Sequence, residues 1–302
     1  MQVDGFLNVC KPLGWTSHDV VQFVRRRLSQ QHVGHAGTLD PAATGVLPIC
    51  LGRATRLADY VGAGDKVYAA DIALDLTTDT CDAEGRLLNS ERPCAGLGAV
   101  VRALSGLTGA LDQRPPSYSA LKVAGTPAYA LARRGEAIQL AARRVTVHGI
   151  ALTSWQPPRL SIVLRCSKGT YVRALARDLG ESLGVGAYLD ALVRVRVGPF
   201  DITEAVGLES LELAALEFSW RELVLPPDAA LLGLPAAVVT DERRASFAHG
   251  RGWAGRPSGM APEIRTYSAD GRFMGLLRAG REPGAWQPAL SFIHESGGSG
   301  AA

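Results

Sequence analysis

The hydrophobic period changes several times along the chain, and each change marks an element. Residues 5–9 (Gly-Phe-Leu-Asn-Val) form a short strand, and residues 11–15 turn. Thr16 or Ser17 then caps a helix over 18–28, with Val20, Val21, Val24 and Leu28 at helical spacing and Arg25, Arg26 and Arg27 on the other side. The unbroken apolar run 46–51 is a buried strand, 54–61 a short amphipathic helix, and the alternating stretch 66–74 a second strand. Residues 77–87, rich in Asp, Thr and Gly, read as a loop. Helices are expected at 97–107, at 129–134 ahead of Gly135, and at 171–183, with a break at 113–116. Strands fall at 145–153 and 160–166, on either side of Pro157-Pro158. In 192–197, Val193, Val195 and Val197 alternate with Arg194 and Arg196, which predicts a strand with one basic face.

Beyond Leu225-Pro226-Pro227 the texture shifts to short strands and Gly-rich turns. The expected division is a main domain over 1–230, a small β-rich module over 231–294, and a low-complexity, disordered tail over 295–302.

Composition alters this picture little. Hydrophobic residues make up 47% and charged residues 20% of 302, as in a soluble globular protein. No apolar run is long enough for a membrane span, and the N-terminus carries no secretory leader, so a cytoplasmic protein without a membrane is expected. The five cysteines are widely spaced with no C-x-x-C pair, which argues against a zinc site or a disulfide framework; no metal is expected. The net charge of +3 does not by itself imply nucleic acid. Of the 32 basic residues 28 are arginine, which suits phosphate contacts but is also the product of a GC-rich genome. The clusters Arg25–Arg27, Arg133-Arg134 and Arg143-Arg144 fit either a phosphate backbone or a solvated face.

Residues 31–56 hold the sharpest chemical signal. One carboxylate, Asp40, lies between the turn glycines Gly34 and Gly37 and a second small-residue turn at Thr44-Gly45, with the buried run directly after. Turn chemistry alone leaves two readings open, a surface turn or one presented reactive group. Tyr68, in Lys66-Val67-Tyr68, is either a core aromatic or a flat ring for stacking a base. Ser167-Lys168-Gly169-Thr170, between a strand and a helix, has the form of an anion site but lacks P-loop spacing.

Gly37-Thr38-Leu39-Asp40, followed by Thr44-Gly45, resembles the central motif of the pseudouridine synthases. His35 before it and Val46-Leu47-Pro48-Ile49 after it resemble the bacterial tRNA pseudouridine-55 synthases. The likeness continues in family order through Asn8-Val9-Cys10-Lys11-Pro12, Lys66-Val67-Tyr68 with Thr78-Asp79-Thr80 and Asp82-Ala83-Glu84-Gly85, Pro115-Pro116-Ser117-Tyr118-Ser119-Ala120-Leu121-Lys122, and Ser167–Arg173. Arg56 departs from it, standing where lysine is common.

The resemblance implies an α+β fold class: a catalytic domain built on a mixed, mainly antiparallel sheet flanked by helices, and a small β-rich, PUA-like RNA-binding module at the C-terminus. It implies Asp40 as the catalytic residue, Arg173 as its basic partner, and Tyr171 as the aromatic under a flipped nucleotide. Tyr68 would stack on the base, Leu192 would wall the pocket, and His35 would wedge into the vacated stack. The implied reaction is isomerisation of a uridine in the tRNA T-arm loop, without cofactor or guide RNA, by a monomer.

Overall fold

The computed structural model describes residues 2–89, 95–119, 121–123, 125–136, 140–255, 261–282 and 284–293. The tail expected at 295–302 lies outside them. In chain order the main-domain elements begin with β1 (Gly5–Lys11), α1 (Ser17–Arg27), β2 (Val33–His35), β3 (Ala43–Leu51), α2 (Ala58–Ala63) and β4 (Lys66–Leu74). β5 (Thr77–Thr78), β6 (Leu87–Asn89), α3 (Leu97–Gly106), β7 (Gly109–Gln113), β8 (Lys122–Val123), β9 (Thr126–Pro127) and α4 (Ala128–Arg133) follow. The domain closes with β10 (Arg143–Gln156), β11 (Arg159–Cys166), α5 (Val172–Leu183), β12 (Ala187–Val197), β13 (Phe200–Asp201) and α6 (Leu208–Leu216).

Nine of these strands form one sheet whose main path runs β1-β3-β12-β4-β11-β10-β7, with β2 on β3 and β13 on β12. Every pairing is antiparallel except β12 against β3. The mixed, mainly antiparallel sheet is thus as expected. Strand β12 is inserted between β3 and β4, which are near neighbours in sequence. The parallel contact is short, from Leu192–Ala43 to Arg194–Gly45. It depends on Gly45, at φ +101°, where a Cβ would lie 2.3 Å from the Arg194 carbonyl oxygen. Gly45 therefore serves close strand packing, and Thr44-Gly45 belongs to β3 rather than to a turn.

Helices cover the sheet as their apolar spacing requires. α3 and α5 pack Val100, Leu104, Leu175 and Leu179 over Ile72, Leu160 and Ile162. Val20, Val21 and Val24 of α1 pack with Leu211 and Trp220 over Leu7, Leu47 and Ile49. Helix α1 starts at a full capping box, Thr16 accepting from the Asp19 amide and Asp19 from that of Thr16. α5 ends at Gly184 in the left-handed conformation.

The remaining elements are β14 (Ala236–Val238), α7 (Asp241–Ala248), β15 (Trp253–Ala254), β16 (Glu263–Tyr267), β17 (Phe273–Ala279) and β18 (Ala285–Ser291). They form a separate five-stranded sheet, β14-β16-β17-β18-β15, around Phe247, Met274, Leu277 and Trp286. This sheet is docked on the larger one: Leu276 and Phe292 share a core with Phe6, Cys50, Leu57 and Phe200. Arg53 reinforces the contact by stacking on Phe292, and Tyr60 donates to Glu263 at 3.0 Å.

Three further expectations need correction. The stretch 77–87 is not all loop, because β5 and β6 pair at its ends. The break at 113–116 begins one residue late, since Gln113 is the last residue of edge strand β7. The basic face of 192–197 does not exist. The β12–β4 register slips between Arg194 and Arg196, and this bulge at Val195 turns the two arginines apart. Arg194 is 1% exposed, whereas Arg196 reaches out to Asp201 at 2.9 Å.

Candidate active site

Asp40 stands on a short segment between β2 and β3 that is tied down residue by residue. The buried Ser17 hydroxyl accepts from the Leu39 amide (2.8 Å) and donates to the Leu39 carbonyl (3.1 Å). The Asp40 carbonyl closes a tight turn by accepting from the Ala43 amide at 3.0 Å. Lys11, wholly buried at the end of β1, donates to the carbonyls of Pro12 (2.9 Å), Trp15 (2.6 Å) and Pro41 (3.3 Å). Burial draws its ammonium down to about 8, against the favourable pull of Asp40.

Arg194 grips the same segment from the sheet. Its Nε donates to Val46 O (2.8 Å), Nη1 to Thr38 O (3.2 Å) and Nη2 to Gly37 O (2.9 Å). A fully buried guanidinium thus bonds three backbone carbonyls, and it also hydrogen-bonds the Tyr68 phenol. Burial lowers its pKa; the Tyr68 phenol, its cross-strand neighbour, acts against that shift.

The carboxylate itself meets Arg173, one residue into α5. Arg173 Nη2 lies 2.8 Å from Asp40 Oδ2, and the arginine is buried while Asp40 keeps 44% of its side chain exposed. The guanidinium is further fixed by Asp82 Oδ2 (3.3 Å) and the Thr80 carbonyl (3.2 Å) at Nη1 and by the Tyr118 carbonyl (3.0 Å) at Nη2. Asp82 is in turn held by the Thr80 hydroxyl at 2.5 Å and the Glu84 amide at 3.2 Å. Arg173 therefore arrives already oriented, with one edge presented to Asp40.

Asp40, Tyr68, Tyr171, Arg173 and Leu192 line a single cleft of about 310 Å³, together with Lys66 and the Ser167–Thr170 turn. Burial raises the phenol pKa of both tyrosines, and the nearby Asp40 carboxylate adds to it in each case. Lys66 donates to Gly64 O at 2.7 Å and to Gly62 O, and burial lowers it to about 8. Five of the six residues singled out in the sequence are thus brought together. His35 is not among the residues lining the cleft. It ends β2 opposite Ile49, half-buried, with burial and the Arg194 charge lowering its pKa.

Four supporting residues escaped the sequence reading: Lys11, Asp82, Arg194, and Gln113, whose side-chain oxygen accepts from the Tyr171 amide at 2.8 Å. Lys11 and Asp82 stood within quoted motifs without a role. Gln113 was visible only as a residue before Arg-Pro-Pro, and Arg194 was misassigned by the bulge.

Residues 25–172 match the model of the TruB family pseudouridylate synthase N-terminal domain, and 173–232 that of the tRNA pseudouridylate synthase B C-terminal domain. A tRNA pseudouridine synthase B of Symbiobacterium thermophilum is 46% identical over 87% of this chain and 85% of its own. One of Thermobifida fusca is 43% identical over 96% and 98%. The chain belongs to the TruB family of pseudouridylate synthases. Among solved structures, an H/ACA RNP bound to a substrate RNA containing 2′-deoxyuridine shares the fold, with TM-score 0.74 and 22% identity over 97% of this chain and 86% of that one. A Cbf5-Nop10-Gar1 complex follows at TM-score 0.70 and 25% identity over 91% and 78%. The two TruB models meet at 172/173, between Tyr171 and Arg173, so the family's sequence division cuts through this cleft rather than between the two sheets.

Among the described residues no helix is long and apolar enough to cross a membrane, and no cluster of three His, Cys, Asp or Glu is placed to hold a metal ion. The described cysteines, Cys10, Cys50, Cys81 and Cys166, are free thiols, and burial pushes Cys50 up to about 12.

Proposed function

We propose that this TruB-family chain converts uridine to pseudouridine at position 55 of the tRNA T-arm loop, acting alone, as a cytoplasmic monomer without a guide RNA. The observation that carries the reading is the Asp40–Arg173 pair at 2.8 Å, in a cleft walled by Tyr68, Tyr171 and Leu192. Relatives named tRNA pseudouridine synthase B, similar over nearly their whole length, support tRNA as the substrate.

A base stacked inside a folded loop is out of reach of Asp40, so the uridine is flipped into the cleft at a cost of about a few kcal/mol. His35 fills the vacated stack. Tyr171 and Leu192 hold the extruded nucleotide, and Tyr68 stacks on its base. Asp40 then starts cleavage of the bond between C1′ and N1, by attack on C1′, addition to C6, or removal of a sugar proton. The freed uracil rotates and rejoins C1′ through C5, and the C5 proton leaves, with Tyr68 placed to assist. Atoms are only rearranged, so the reaction needs no redox partner or group donor. Residues 1–230 carry this chemistry, and 231–294 form a PUA-like module that binds RNA.

The test is a bare T-arm stem-loop incubated with the protein alone and assayed for mass-neutral conversion of its uridine. Product with the wild type and none with Asp40→Asn, at unchanged RNA affinity, is the expected result. Undiminished turnover by that variant would overturn the role of Asp40. Turnover only with an added guide RNA would overturn autonomy.

A further inference from the structure

Tyr171, like Leu39 with Ser17, is a cleft residue whose backbone N–H and C=O are both held by a single side chain. It caps the N-terminus of α5 in an extended conformation, φ −101° and ψ 112°, with no side-chain cap. Its amide donates to Gln113 Oε1 at 2.8 Å, and its carbonyl accepts from Gln113 Nε2 at 3.1 Å. Gln113 is 3% exposed and comes from the end of edge strand β7, 58 residues away. One carboxamide thus takes the place of a strand neighbour for a residue that belongs to no strand.

Pinning both the N–H and the C=O of one residue restrains its φ and ψ together, and with them the direction of its Cα–Cβ bond. The bonds carry little weight as glue, but they aim a ring. Two further ties lay the segment after Gln113 along the same helix: Arg177 donates to Arg114 O at 2.9 Å, and Arg173 to Tyr118 O at 3.0 Å.

We propose that Gln113 is a positioning residue of this enzyme, which holds the Tyr171 ring in register with Asp40 through the Tyr171 backbone. This rests on the reading that Tyr171 supports the flipped uridine. Because Gln113 does not line the cleft, it acts on the chemical step through Tyr171 rather than on RNA capture. A displacement of the ring by about an ångström is worth roughly a hundredfold in rate.

The experiment compares Gln113→Met, close in length but unable to make either bond, with the wild type. The substrate is a T-arm stem-loop, with single-turnover tritium release from C5-labelled uridine as the readout. We expect the rate of the folded protein to fall by about ten- to a hundredfold, with RNA affinity little changed, a modestly lowered thermal midpoint and faster hydrogen exchange at the Tyr171 amide. A rate within twofold of wild type overturns the proposal, as does unchanged amide exchange. So does a loss that resides wholly in RNA affinity or in the thermal midpoint. Placed in a Tyr171→Leu background, Gln113→Met should cost little more, because the ring it aims is gone; multiplying losses would overturn the proposal. If the wild type itself releases no tritium, the functional reading has failed rather than the role of Gln113.

Discussion

Around Asp40, Lys11, Lys66, Asp82, Arg173 and Arg194 are all less than a tenth exposed, and each is bonded to backbone or to another charge. The core of the C-terminal module consists of Val239, Phe247, Ile264, Met274, Leu277 and Trp286, with Leu276 and Phe292 buried against the larger sheet and Thr266 and Ser268 the buried polar residues among those described. The first region gives up the cheaper stabilisation of an apolar core to fix directions. A buried ion pair gains little net stability over apolar packing but makes one geometry hard to leave. The second region fixes no comparable set of charged groups, and its volume is filled with apolar side chains.

That contrast can be broken by substitution on either side. Arg173→Met should lower turnover by about a hundred- to thousandfold. It should also destabilise the protein by about 3–5 kcal/mol, because Asp82 is left buried without its cation; kinetics with chemical denaturation reads both. Phe247→Ala should cost a similar 3–5 kcal/mol, yet leave single-turnover chemistry on a stem-loop nearly intact in the folded fraction. Large losses of chemistry from Phe247→Ala would erase the distinction. Arg194→Met should cost about 1–3 kcal/mol or more, through the stranded carbonyls of Gly37, Thr38 and Val46. Its neighbour Arg196→Met should stay within about 0.5 kcal/mol by thermal denaturation.

The smallest expected effect is a pH dependence. Lys11 has a folded pKa of about 8 against an ordinary 10.5. Between those values the unfolded chain binds more protons, so the Lys11 contribution to stability rises with pH across that window. Activity should move the other way, falling a fewfold above pH 8, because a neutral amine has two N–H donors for three carbonyls. Measured against Lys11→Met, stability and activity should therefore diverge with pH; a parallel fall would sink this account.

What was legible in the chain followed from period and motif. Helices α1, α3 and α5 and the central strands were readable because their apolar spacing matches the surfaces they bury. Asp40, Tyr68, Tyr171, Arg173 and Leu192 were readable through motif likeness, and they meet in one cleft. Arg194 was not, because alternation assumes an unbroken pleat and one extra residue at Val195 inverts it. Gln113 was not, because its partners are backbone atoms 58 residues away, which leave no trace in residue type. Helix α7 was missed for a third reason: Asp-Glu-Arg-Arg-Ala-Ser-Phe-Ala buries only Phe247, too little for a helical period to show.

The placement of β12 between β3 and β4 also sets an order of assembly. A growing chain that has reached residue 186 already contains Asp40, Tyr68 and Arg173, but the strand that joins their supports is still to come. Arg194, which grips the Asp40 segment, and Leu192, which walls the cleft, arrive together on that last insert. Long-range pairing of this kind is slow to form. The nascent protein therefore holds Asp40, Tyr68 and Arg173 before it has the strand that joins their supports.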